Sequence, residues 1–322
     1  MNDDPETPVR EAAAWPNHVR TPQVVVVGSI NSDVSMFVPH FPDPGETVQG
    51  HSVTTGPGGK GLNQAIAAAL AGAKCHIIGA VGADPVGKYL MSQLRERGVI
   101  TDAVTIDQAV PTGIAYITVE DSGENHIVFV SGANTCLRRA GLERHKALIA
   151  AADVIVVQGE LASETTSAAV HLAGYLGRRT IINAAPVQQL EPSVLALADP
   201  LVVNEVEAAE LLSGTAVDSV DAALTALPRL INLAKSAVIT LGGDGAVVSD
   251  RNGRTTHVPA VPVEAAIDTS GAGDAFVGVL AAGLAFGLPL EAAVRAGGRA
   301  GADVVTRRGC SLAYRDFSAF LG

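Results

Sequence analysis

Six short apolar runs, rich in β-branched residues, punctuate the chain, and each ends in small or polar residues: VVVVG from Val24, HIIGAVG from His76, VIVVQGE from Val154, TIINAAP from Thr180, LVVNE from Leu201 and VITLGG from Val238. A strand that is apolar at every position has both faces covered, which is the condition of a central strand in a parallel sheet. Parallel neighbours need crossovers, and the segments between the runs carry helical signals. Among these are the alanine-rich QAIAAALAGA from Gln64 and a Pro85 placed where a helix start tolerates proline. The expected fold is therefore α/β: an open, mostly parallel sheet flanked by helices, with ligands bound beyond the carboxyl ends of the strands. GAVVSD and the segment around THVPAV read as further edge strands, and residues 290–305 and 314–321 as closing helices. The 13-residue apolar run 276–288 reads as a buried helix, too short to cross a bilayer.

The βα rhythm breaks in two places. The first apolar run leads into SINSDVSMFV and then into FPDPGETVQG, whose prolines and glycines mark a turn-rich excursion at about residues 35–55. Residues 112–130, TGIAYITVEDSGENHIVFV with its neighbours, give two extended runs about a glycine-containing turn, the pattern of a β-hairpin. Together these segments predict a small separate sheet beside the main domain, a lid. Residues 1–22 hold acids, four prolines and no apolar core, so they read as a flexible extension and not as a signal peptide, with residues 23–322 forming the folded domain.

Charge narrows the partners. A formal net charge of -11 repels a nucleic-acid backbone, and no basic block interleaved with aromatics appears, so neither a nucleic acid nor a membrane is expected as a partner. A small anion remains admissible, because a few convergent N–H groups and one local cation outweigh a distant net charge. Cys75, Cys136 and Cys310 are too far apart for a CxxC pair and odd in number, which fits a reducing, cytoplasmic setting. The eight histidines are scattered without metal-binding spacing.

Four constellations could carry chemistry. DTSGAGD at residues 268–274 places Gly271, Ala272 and Gly273 at a helix start, where N–H groups can converge on an anion, with Asp274 in the first turn as a potential proton acceptor. A tight βα turn with Asp274 as a simple helix cap accounts for the same letters. GGKGLN, with Gly59, Lys60 and Asn63, lacks the Ser/Thr of a phosphate-binding GxxxxGK[ST] loop, so it reads either as a flexible turn or as a polar pocket wall. Asn31 and Asp33, at a spacing of two, can face one cavity and hold adjacent hydroxyls, or form an Asx turn. Asn204 and Glu207, at i and i+3, can share a face near a metal-phosphate or cap a helix.

Taken together, GGKGLN and DTSGAGDAF, supported by GSINSD, PGETVQG, PTGIAYI, NEVE and TLGGDGA, resemble the ribokinase-like (pfkB) carbohydrate kinase family over roughly residues 24–320. The resemblance implies a transferase: a sugar kinase using ATP, Mg²⁺ and K⁺, with the 5-hydroxyl of D-ribose as the first acceptor to consider. Deoxyribose, fructose or a nucleoside are same-fold alternatives, and a non-catalytic sugar-binding regulator is the reading from another class. It further implies that Asp274 is the catalytic base, and that Gly271, Ala272 and Gly273 are the anion hole. Asn31, Asp33, Gly59, Lys60, Asn63 and Glu160 match sugar contacts. Asn204, Glu207, Thr240, Gly242 and Gly245 match the nucleotide side, with Mg²⁺ near Glu207, and Asp268, Ser270 and Gly309 a K⁺ site built largely from backbone carbonyls. A homodimer through the lid sheets is implied as well. Two departures stand out: Gly298 where many relatives carry an asparagine near the adenine, and RRGCSLAY in place of a proline-serine run.

Overall fold

In the computed structural model, which describes residues 21–322, the VVVV run becomes β1 (Gln23–Val27) at the heart of a large sheet. The expectation for residues 1–22 lies almost wholly outside the described residues. Val24 and Val26 enter the core on one face of the sheet and Val25 and Val27 the core on the other, as the period-2 geometry of a strand requires. Chain order adds β2 (Asn31–Val38), β3 (Ser52–Gly58), β4 (Lys74–Gly82), β5 (Val104–Asp107), β6 (Gly113–Glu120), β7 (Asn125–Val130) and β8 (Val154–Gln158). It continues with β9 (Arg179–Asn183), β10 (Ala198–Asn204), β11 (Ala237–Thr240), β12 (Ala246–Ser249) and β13 (Thr255–Val258).

The large sheet has the order β13-β12-β11-β10-β9-β8-β1-β4-β5, parallel except for the antiparallel edge strands β12 and β13. From β1 the chain later joins β4 on one side and β8 on the other. The strand order therefore reverses beside β1, and a crevice opens there at the carboxyl ends. The helices Lys60–Leu70, Ala272–Ala285 and Leu290–Val304 cover one face, while Ser163–Tyr175 and Val220–Ile231 are among those covering the other. Among the described residues no helix is long and apolar enough to cross a membrane.

The α/β expectation and the separate small sheet are both observed, with three corrections. The excursion read at about residues 35–55 starts earlier: the chain leaves the large sheet after Gly28, and Asn31 opens β2 in a second sheet of order β3-β2-β6-β7. Asn31 and Asp33 thus sit in a paired strand and not in an Asx turn. Residues 314–321 do not form an α-helix, because the Phe317 N–H donates to the Leu70 carbonyl (2.9 Å) and its ring is fully buried, leaving only a 3₁₀ turn at Ser318–Leu321. The apolar run 276–288 is helical only to Ala285, and Gly287, at φ +88, lies past its end.

The small sheet is rooted at one side chain. Asn134, buried just after β7, accepts the Ile30 N–H (3.0 Å) and donates to Asn31 Oδ1 (2.7 Å) and to the Ser131 carbonyl (2.8 Å). It ties the start of β2 to the end of β7, while β7 itself is exposed along its whole length.

The helices Lys60–Leu70 and Ala272–Ala285 are held at close range by glycine. A Cβ on Gly278 would lie 2.5 Å from Ala67 Cβ and 2.5 Å from the Gln64 carbonyl. In an ordinary helix interior Gly→Ala stabilises by about 1 kcal/mol. Here the sign should reverse, with Gly278→Ala costing about 1–3 kcal/mol through overpacking. Urea denaturation measures this, and an unchanged or raised midpoint contradicts the tight contact.

Candidate active site

At the carboxyl ends of β1 and β8 the two glycine motifs meet. Gly271, the residue before the Ala272–Ala285 helix, has φ +76, a left-handed conformation that suits glycine. A Cβ there would also lie 2.4 Å from Cys310 Sγ. Its carbonyl accepts the buried Tyr314 hydroxyl (2.6 Å), which fixes the turn. Of the three residues read as an anion hole, Ala272 already donates its N–H to the Thr269 carbonyl at 3.3 Å.

Asp274 is the third residue of this helix, 7% exposed, and it caps nothing. Its carboxylate turns inward, where Oδ2 accepts from Asn63 Nδ2 (3.0 Å) and Oδ1 from Gln64 Nε2 (2.9 Å). The simple-cap alternative for Asp274 therefore falls. Both donors come from the first turns of the Lys60–Leu70 helix, more than two hundred positions away in sequence.

The glycines of GGKGLN are not slack. A Cβ on Gly58 would strike the Asp33 carboxyl at 2.0 Å, and one on Gly61 the backbone of Gly28 at 2.5 Å. Gly59 holds φ +87 against Ser29 and Asn31. Close approach, and not flexibility, accounts for them. Glu160 Oε2 accepts the Ser29 hydroxyl (2.5 Å) and the Lys60 backbone N–H (3.0 Å), so the loops after β1 and β8 and the helix start share one carboxylate.

Electrostatics follow from this crowding. Burial, with the charges of Glu160 and Asp274, pushes the Asp33 carboxyl up to about 7. The Lys60 ammonium is raised above its usual value, chiefly by the Asp274 charge and further by Glu160 and Glu207, against the cost of burial. Glu207 is also raised, mainly by burial. Burial first, and then the Asp274 and Asp33 charges, hold the Cys310 thiol well above the ordinary thiol range, so it is no ready nucleophile.

A cavity of about 80 Å³ lies on the other side of Asp274, lined by Lys60, Asn204, Glu207, Thr240 and Gly273 among others. Lys60, read as a sugar contact, thus also faces the side assigned to the nucleotide. Asn204 and Glu207 form a reciprocal capping box, with Glu207 N–H donating to Asn204 Oδ1 (2.8 Å) and Asn204 N–H to Glu207 Oε2 (2.8 Å). The cap alternative therefore holds for this pair, and Glu207 still lines the cavity. Gly242 (φ +49) and Gly298 face open space, whereas Gly245 has φ +89 and a Cβ on it would strike the Val258 carbonyl at 2.1 Å, so backbone conformation and packing explain that glycine. Asp268 stitches two loops together, accepting the Ser270 N–H (2.9 Å) and the Gly309 N–H (2.9 Å). Among the described residues no three His, Cys, Asp or Glu side chains gather into a metal cage.

Sequence reasoning missed Ser29, Gln64, Asn134, Gln158 and Asn183, all buried in or beside this site. A polar Gln64 at the head of an alanine-rich helix was the one local signal. The others become meaningful only once the strand ends are assembled.

A model of the pfkB family carbohydrate kinase matches residues 21–316. A ribokinase from Haemophilus influenzae is 36% identical over 287 residues, covering 89% of this chain and 93% of the relative. A deoxyribokinase from Salmonella typhi is 32% identical over 299 residues, covering 92% and 97%. The structure of Arabidopsis thaliana ribokinase complexed with ribose and ATP superposes with a TM-score of 0.87 at 25% identity, covering 94% of this chain and 98% of that one.

The raised Asp33 carboxyl makes a stability prediction with a definite sign. Between the ordinary carboxylate range and about pH 7 the folded chain holds this proton more tightly than the unfolded chain, so the group's contribution to stability declines as pH rises through that window. Asp33→Asn removes the effect. Relative to the unsubstituted protein, the variant should gain stability between about pH 4.5 and about pH 8 by urea denaturation. The same difference at both pH values would contradict the buried-carboxyl assignment.

Proposed function

The chain belongs to the pfkB family of carbohydrate kinases, and from that premise we propose that it transfers the γ-phosphoryl group of ATP to the 5-hydroxyl of D-ribose, giving D-ribose 5-phosphate and ADP. One observation carries the proposed mechanism: a buried carboxylate, Asp274, sits in the first turn of a glycine-led helix and is gripped on both oxygens by neutral amides at the strand-end crevice.

In this reading Asp274 orients the sugar hydroxyl and takes its proton as the oxygen attacks phosphorus. With the Ala272 N–H already given to Thr269, the Gly273 and Asp274 N–H groups in the first turn of the Ala272–Ala285 helix receive the charge spreading over the transferring group, and Gly273, which faces open space, keeps the approach clear of side chains. Asn31, Asp33, Asn63 and Glu160, with Gly59 giving close backbone approach, hold the sugar hydroxyls. Lys60, acted on most strongly by Asp274 and further by Glu160 and Glu207, balances the negative charge of these carboxylates. Asn204, Glu207, Thr240 and Gly242 border the nucleotide, with Gly245 supporting that wall from behind.

Mg²⁺ would reach the site on the phosphates of ATP and through water near Glu207, neutralising phosphate charge there. K⁺ would be held by the two loops that Asp268 draws together around Ser270 and Gly309, and would supply positive charge beside the glycine turn. The small sheet serves as the lid, shutting water out during transfer. Exposed Phe37, Tyr116, Ile127, Val128 and Phe129 on this sheet support a homodimer in which two lids pair. Three free cysteines support a cytoplasmic location.

Asp274→Asn should lower kcat by about 10²- to 10⁴-fold with the fold retained, as judged by circular dichroism. Near-normal turnover would remove Asp274 from the mechanism. An ADP-release assay over ribose, deoxyribose, fructose and adenosine should give the highest kcat/KM for ribose, and a higher value for deoxyribose would reassign the acceptor.

A further inference from the structure

Gln64 is fully buried, and every polar position of its amide is used. Nε2 donates to Asp274 Oδ1 (2.9 Å) and to Asn183 Oδ1 (2.9 Å), while Oε1 accepts from Gln158 Nε2 (2.8 Å). Four elements meet at this one side chain: the Lys60–Leu70 and Ala272–Ala285 helices and the carboxyl ends of β8 and β9. Resting on the reading of Asp274 as the base, we propose that Gln64 is a positioning residue for the phosphoryl transfer, holding the base's carboxylate in place, with Gln158 holding Gln64's amide in the donating orientation.

The direction of the chain is what makes this more than packing. Turning the Gln64 amide over would set its oxygen against the buried oxygens of Asp274 and Asn183 and its N–H group against the N–H of Gln158, breaking all three hydrogen bonds. The two amides therefore point their donors in series toward the anion, Gln158 to Gln64 to Asp274. A neutral donor favours the carboxylate form without cancelling its charge, and it has no proton of its own to lose at working pH. With one amide on each oxygen, the carboxyl plane is fixed and further lone pairs stay available to an incoming hydroxyl. The surroundings allow little slack: a Cβ on Gly28 would lie 2.2 Å from Gln158 Oε1, and one on Gly278 would lie 2.5 Å from the Gln64 carbonyl. The titratable groups that act on Asp274 from neighbouring elements are Lys60, Asp33, Glu207, Cys310 and Tyr314. All are retained in the variants below, so a change in pH response reports on the amides.

The test uses the full chain as Gln64→Leu and Gln158→Leu beside the unsubstituted enzyme and Asp274→Asn, with kcat and ribose KM measured across the pH range. Gln64→Leu should lower kcat about 10- to 100-fold, as a misplaced catalytic group does, with ribose KM changed by about twofold or less because neither amide is assigned to the sugar. Its acid limb of kcat/KM should move to higher pH by about one unit, since the anion loses a donor. Gln158→Leu should move the limb the same way by less. A purely structural role would lower the denaturation midpoint and leave the limb where it is. Folded variants whose profiles superpose on that of the unsubstituted enzyme overturn the proposal, and if Gln64→Leu does not fold, the limb of Gln158→Leu decides alone. No turnover of any sugar by the unsubstituted enzyme sinks the function itself. Activity that Asp274→Asn abolishes, with limbs unmoved in the glutamine variants, sinks only this inference.

Discussion

A buried carboxylate must be met by donors, and the arrangement around Asp274 meets that requirement with two side-chain amides from one helix turn. Those amides can reach it only because the Lys60–Leu70 and Ala272–Ala285 helices approach at the distance Gly278 permits. Helix spacing, donor placement and the exposure of the remaining carboxylate lone pairs are thus one constraint. The crevice beside β1 supplies the floor, and the capping box at Asn204 and Glu207 fixes the opposite wall.

Much of the architecture was legible in the residues because it depends on period and composition. Valines at successive positions of β1 have to find cover on both faces, and that alone demands a parallel sheet between helix layers. The hairpin at residues 112–130 was legible for a similar reason, since two extended runs about a glycine turn have few alternatives. What composition could not show is where a chain changes sheets. Asn31 follows Gly28 by only three residues, and at that switch Ile30 and Asn31 are held by Asn134, a residue distant in sequence.

The site was legible residue by residue where a glycine motif marks it, and illegible where side chains act through other side chains. Asp274, Lys60 and Asn63 could be singled out as candidates because they sit inside marked turns. Gln158 and Asn183 could not, because a single polar residue at a strand end carries no periodic signal and gains its role from a partner on another element. Glu207 shows the converse: a helix-capping pattern and a cavity wall are compatible, so evidence for one does not remove the other. Gly245 belongs to a third kind, in which a residue inside a motif owes its identity to its left-handed backbone and to the carbonyl of Val258 behind it.

The anchoring of the small sheet at Asn134 has a mechanical corollary. Strands rise by about 3.3 Å per residue, so a tilt of about ten degrees about that fulcrum would sweep the far end of β2 through about 4 Å and displace Asp33 by about 1 Å. Leverage of this kind would separate two demands that otherwise conflict: movement at the outer rim and a steady aim for the side chains nearest the pivot.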